Sequence, residues 1–155
     1  MSAKKVAKSF KYAIEGILFA VKTQRNMRIH LLVTIIVVLL GTYLSLSTTE
    51  WAVILFSIAL VISMELLNTA IEKTIDLVTS EYHEFAKIAK NVAAAAVLIS
   101  AFNAIVVGLL VFYDKLNKLV KPLMGIESTI EAIILGLLGV GVILLILKLV
   151  INGGE

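Results

Sequence analysis

At 155 residues, 60% apolar and 16% charged, the chain carries more apolar surface than a soluble domain of its size can hide, because such domains hold about 45–50% apolar and about 25% charged residues. The absence of cysteine excludes disulfides, thiolate metal sites and cysteine nucleophiles. The net charge of +3 is modest, and its cations flank apolar runs without aromatic interleaving, a pattern that suits anionic lipid headgroups and not nucleic acid.

Residues 3–21 place Val6, Phe10, Ala13, Ile14, Ile17 and Val21 at spacings of three and four. Lys4, Lys8, Lys11 and Glu15 take the other faces, which predicts a basic amphipathic helix lying in a membrane interface. Residues 1–28 hold seven cations, Lys4, Lys5, Lys8, Lys11, Lys22, Arg25 and Arg28. They lack the short apolar core and small-residue cleavage site of a secretory signal, so this region is expected to be an interfacial helix with a basic approach to the membrane.

Four apolar segments follow, at 29–46, at 51–64 with a helical pattern that continues into charged residues, at 92–112 and at 132–151, each with its continuation near the roughly 20 residues that span a bilayer. Strict alternation is absent, so the spans are helices, the form that pairs every backbone group within one segment. The expected fold class is all-α: a polytopic membrane protein with an N-terminal amphipathic surface helix, three core transmembrane helices and a fourth. The expected divisions are 1–28, a three-helix core at 29–114, and a linker with the extra helix at 115–155. Lysine and arginine crowd the N-terminal region and residues 73–91, while residues 45–50 have none; the excess predicts that the first two lie in the cytoplasm and the third outside. Lys115, Lys118 and Lys121 run against this count, but the cations near the first two crossings dominate it.

The chemistry concentrates at the end of the second apolar run. On a helix, Glu65, Glu72 and Asp76 fall within about 20° of one line, flanked by Asn68 and Thr69. Stacked carboxylates repel one another, and a divalent cation of the Mg²⁺ type relieves that repulsion. An acid at the depth of Glu65 is expensive and marks function; the plainer alternative is a helix leaving the membrane on a wet face. Further on, Lys87, Lys90, Asn91 and Ala94 share one face of the third crossing, where a lysine suits nucleotide phosphate or simply sets topology. His30 and His83 stand too far apart in sequence for a metal pair and read as interfacial, while Ser100 and Asn103 read as interhelical hydrogen-bonding groups.

These residues carry a resemblance. Glu65-Leu66-Leu67-Asn68-Thr69-Ala70-Ile71-Glu72 with Asp76 four residues later, the run Ser80-Glu81-Tyr82-His83-Glu84, the run from Ala89-Lys90-Asn91, and Asn26-Met27-Arg28-Ile29-His30 together resemble the prokaryotic diacylglycerol and undecaprenol kinase family. The last motif is similar to its Gram-positive branch. The likeness covers about residues 9–113 and implies a homotrimeric enzyme of the bacterial plasma (inner) membrane that uses MgATP, with its active site on the cytoplasmic side. It implies Glu65 as general base and, with Asn68, as lipid-binding. It implies Asn68, Glu72, Asp76, Lys90 and Asn91 as nucleotide-binding and Glu72, with position 24, as metal-binding. No Walker loop or protein-kinase motif is present.

Two positions depart from that pattern. Gln24 and Asn91 stand where the family usually has Glu and Asp, and each amide removes a negative charge, which makes Gln24 a poorer Mg²⁺ ligand. The expected activity is therefore phosphorylation of a lipid hydroxyl, of undecaprenol or diacylglycerol, weakened by these amides. The rivals are an inactive lipid-binding bundle on the same scaffold and a small ion channel; the clustering of the acids near one interface argues against the channel.

Overall fold

The computed structural model describes residues 3–79 and 81–124, which form four helices: α1 (Ala3–Thr23), α2 (Arg25–Tyr43), α3 (Thr48–Val78) and α4 (Glu84–Met124). Three of them, α2, α3 and α4, are long and apolar enough to cross a membrane. The expected fourth crossing at 132–151, with Gly136, Gly139 and Gly141, lies outside the described residues. The described residues fall into two compact units divided between Leu109 and Leu110. The second consists, among described residues, of the last part of α4.

In the first unit, polar side chains share the interior with Ala20, Met27, Leu46, Ile54, Val61, Ala93 and Val97, while many large apolar side chains face outward. Glu65, Asn68, Thr69, Ser57 and Ser100 are buried, while Ile35, Leu39, Phe56, Leu98 and Phe102 are exposed. Only an apolar solvent makes that arrangement favourable, because lipid accepts the aliphatic surface and penalises unpaired polar groups. Most of the buried hydroxyls are satisfied locally. Ser57 donates to the Val53 carbonyl at 3.0 Å, Thr69 to the Glu65 carbonyl at 2.8 Å, and Ser100 to the Val97 carbonyl at 2.8 Å. Ser100 thus bonds within its own helix, not across helices, and Asn103 is exposed.

The breaks between helices have local causes. Gln24 interrupts α1 and α2 with extended φ and ψ of −101° and 119°. Its backbone N–H still closes α1 by donating to the Ala20 carbonyl at 2.8 Å. Ala20 and Met27 on either side are fully buried, so packing fixes a corner that no Gly or Pro announces. Between α2 and α3 the chain turns through Ser45 at φ 51°, and Ser47 then caps α3. The Ser47 N–H donates to the Glu50 carboxylate at 2.6 Å and the Ser47 hydroxyl accepts from the Glu50 N–H at 3.4 Å. This reciprocal capping box fixes where α3 begins. Gly41 is required here: a Cβ would meet Leu46 and the Trp51 ring at 2.9 Å.

The capping box sets the register of everything downstream. At about 1.5 Å per residue, Glu65 sits roughly 26 Å along α3 and Asp76 roughly 42 Å along it. A hydrocarbon core of about 30 Å therefore ends between them. α2 packs chiefly on α3, and α1 lies against both. Ala93 and Val97 of α4 are buried as well.

Candidate functional site

The polar stripe of α3 opens into two separate cavities. The deeper has a volume of about 240 Å³ and is bounded by Asn26, Ile29 and His30 of α2, Glu65 and Asn68 of α3, and Ala94, Val97, Leu98 and Ala101 of α4. Glu65 is 1% exposed and Asn68 5%. The Asn68 side-chain amide donates to a Glu72 carboxylate oxygen at 2.9 Å, which turns its own oxygen the other way. Glu65 Oε2 and Asn68 Oδ1 are both buried without a hydrogen-bond partner. An unpaired buried acceptor costs about 1–3 kcal/mol, and more for an ionised carboxylate. With Glu65 as a carboxylate, the two acceptors cannot satisfy each other, and the cavity then calls for a hydrogen-bond donor.

The outer cavity, of about 520 Å³, lies where α3 ends and α4 begins. Its lining includes Asp76, Thr79, Glu81, Tyr82, His83, Lys87, Lys90 and Asn91. Lys90 Nζ donates to Asp76 Oδ1 at 2.7 Å and Lys73 Nζ to Asp76 Oδ2 at 3.1 Å. Both pairs are largely solvent-exposed, so screening leaves them weak and exchangeable. A cation held by an exchangeable carboxylate, beside a second lysine and the Asn91 amide, can take an anionic phosphate in its place.

The residues expected from sequence therefore divide by depth. Glu65 and Asn68 share the inner cavity, Asp76, Lys90 and Asn91 the outer one, and the part-buried Glu72 is tied to Asn68 between them. The three acids of the stripe do not converge: Asp76 is held by two lysines, and among the described residues no three His, Asp or Glu side chains gather as a metal cage. Gln24 stands at the corner between α1 and α2, partly buried, without a side-chain cap bond. Sequence reading missed Asn26 and His30, both of which face the inner cavity. Their spacing of four on the first turns of α2 was the signal; Asn26 is exposed there and His30 partly buried.

The family model described as prokaryotic diacylglycerol kinase matches residues 11–112. The chain is 43% identical to the undecaprenol kinase of Bacillus subtilis strain 168 over 109 residues, 70% of this chain and 89% of that protein. It is 46% identical to a diacylglycerol kinase of Synechocystis over 101 residues, 64% of this chain and 58% of that protein. With the diacylglycerol kinase of Escherichia coli K12 it shares 29% over 102 residues, 66% of this chain and 84% of that one.

Proposed function

The chain belongs to the prokaryotic diacylglycerol kinase family, and on that premise we propose that it transfers the γ-phosphate of ATP to the hydroxyl of a membrane lipid, undecaprenol or diacylglycerol. The observation that carries this reading is the pair of buried, unpartnered acceptors, Glu65 Oε2 and Asn68 Oδ1, on two residues that line one cavity. A lipid hydroxyl supplies the missing donor. Glu65 accepts its proton while the oxygen forms a bond to the γ-phosphorus and the bond from phosphorus to the leaving ADP breaks. Phosphoryl transfer asks for little more than this base, alignment and charge neutralisation.

The nucleotide belongs at the outer cavity. Lys90 exchanges Asp76 for phosphate oxygens, Asn91 donates beside it, and Asp76 keeps Lys90 placed between turnovers. Mg²⁺ is ordinarily held by one or two carboxylates together with substrate phosphates, and Glu72, with one oxygen already fixed by Asn68, fits as the protein's contribution. When bound, the ion neutralises charge on the phosphates. Gln24 would assist only as a neutral oxygen, so turnover is slower than with an acid there. The enzyme works as a homotrimer in the bacterial plasma membrane, its N-terminus and site on the cytoplasmic side. α1 supports that siting through its exposed Phe10, Tyr12 and Phe19 beside its lysines, which suit an interface.

The test is incubation of the purified protein with γ-labelled ATP and Mg²⁺ in mixed micelles carrying undecaprenol, diacylglycerol or a short-chain alcohol. Label in the phosphorylated lipid, dependent on Glu65, is the expected result. Lipid binding with no label in any product would favour the rival, a binding bundle inactivated at Gln24 and Asn91.

A further inference from the structure

Lys73 is not part of the lining of the outer cavity, yet it touches the carboxylate there that Lys90 holds. The two lysines divide Asp76 between them: Lys90 of α4 donates to Oδ1 at 2.7 Å, and Lys73 donates to Oδ2 at 3.1 Å. Each can therefore let go without displacing the other. The contacts differ in what supports them. Lys73 and Asp76 stand at i and i+3 on α3, where helical side chains meet, whereas Lys90 reaches across from another helix. A phosphate that draws Lys90 away leaves Asp76 in the cavity wall beside it. A bare carboxylate there repels a polyphosphate at a range shorter than the screening length of physiological salt, about 8 Å. Lys73 removes that charge from outside the cavity.

Resting on the lipid-kinase reading above, we infer that Lys73 is a positioning residue for the nucleotide: it neutralises Asp76 through Oδ2 while Lys90 leaves Oδ1 for the phosphate oxygens. Only hydrogen bonds are exchanged, and no proton moves. At rest, two lysines share one carboxylate, so the cluster is net positive. With nucleotide bound, Lys90 carries that charge to the phosphates and leaves a neutral Lys73–Asp76 pair in place. Without Lys73, the cluster is neutral at rest and turns a negative charge toward the phosphates once Lys90 moves. Lys73 also takes a share of Asp76, which loosens the carboxylate's hold on Lys90. Both effects favour the nucleotide. Neither reaches the inner cavity, whose lining includes none of the three residues.

The experiment titrates trinitrophenyl-ATP with Mg²⁺ into mixed micelles of the full-length protein at low ionic strength, where exposed ion pairs count most. Three variants are compared with the parent: Lys73→Met, Lys73→Arg, and Lys73→Met combined with Thr74→Lys. Lys73→Met should raise the Kd about two- to fivefold, the range that one exposed ion pair supports. Lys73→Arg keeps a cation that pairs with a carboxylate and should bind as the parent does. The combined variant restores the net charge but places it at i,i+2 from Asp76, where helical side chains do not face each other, so its Kd should stay raised. The lipid KM at saturating MgATP should be unchanged in all three. A parental Kd in Lys73→Met overturns the inference. So does recovery in the combined variant, which would make Lys73 a general positive charge and not a partner of Asp76. Either result leaves the kinase reading intact. A parent protein that neither binds the analogue nor phosphorylates a lipid alcohol overturns the kinase reading, and this inference with it.

Discussion

Replacing Glu65 with Gln should make the protein more stable and less active. Glu65 is a carboxylate at 1% exposure whose Oε2 has no partner, and Asn68 Oδ1 lacks one too. The substitution keeps shape and volume, removes a buried ionisable group, and turns one of two acceptors at the same cavity into a donor. One orphaned acceptor is relieved by that change, at about 1–3 kcal/mol for a buried group. Hydrogen bonds between side chains in membrane proteins average only about 0.6 kcal/mol, so the net expectation is a gain of about 1 kcal/mol. Equilibrium unfolding in mixed micelles, followed by the fluorescence of the single tryptophan Trp51, measures it. Lipid phosphorylation by the same preparation should fall about 10²–10⁴-fold, the usual contribution of a positioned base. A variant less stable than the parent would show that the carboxylate is already satisfied in the resting protein, and the argument from unpaired acceptors would collapse.

Glu72→Gln should weaken MgATP binding in a folded protein, read as a raised MgATP KM with the lipid KM little changed; an unaltered nucleotide affinity removes Glu72 from the site. Gln24→Glu with Asn91→Asp should raise the rate of lipid phosphorylation. The two gains should fall short of additive if both act through one nucleotide site, and a starting protein that neither change improves would show the amides to be harmless. Cysteines introduced at Ser47 and at Glu81 test orientation: an impermeant thiol reagent applied to intact cells should label the first and spare the second, and the reverse pattern would invert the topology.

The helices were legible in the sequence because hydropathy is a long-range average, which local detail does not upset. Their ends were not. α4 begins at Glu84 and continues to Met124, well beyond the apolar run at 92–112, because its flanking turns mix Lys, Asp and Asn with Leu and Tyr and so read as linker. The break at Gln24 depends on packing around Ala20 and Met27, a tertiary cause with no local mark. Glu65, Asn68 and Glu72 were visible from spacing alone. Their separation from Asp76 into another cavity was not, because that depends on how α4 approaches: Ala94 faces the inner cavity while Lys87 and Lys90 face the outer one. From sequence His30 reads as interfacial for the same reason. Its partner in the cavity, Glu65, lies 35 positions away in the chain, a contact that helical periodicity within one segment does not reveal.

The most direct measurement of the central claim, that Glu65 takes the proton of a lipid hydroxyl during phosphate transfer from ATP, is label transfer by matched vesicle preparations of the parent protein, Glu65→Gln and Glu65→Asp. With γ-labelled ATP, Mg²⁺ and undecaprenol or diacylglycerol in the bilayer, the parent should yield labelled lipid phosphate. Glu65→Asp, which keeps the carboxylate but shortens its reach, should retain a small fraction of that rate, and Glu65→Gln should fall to background while still binding MgATP. Equal label from the parent and Glu65→Gln would contradict the claim outright.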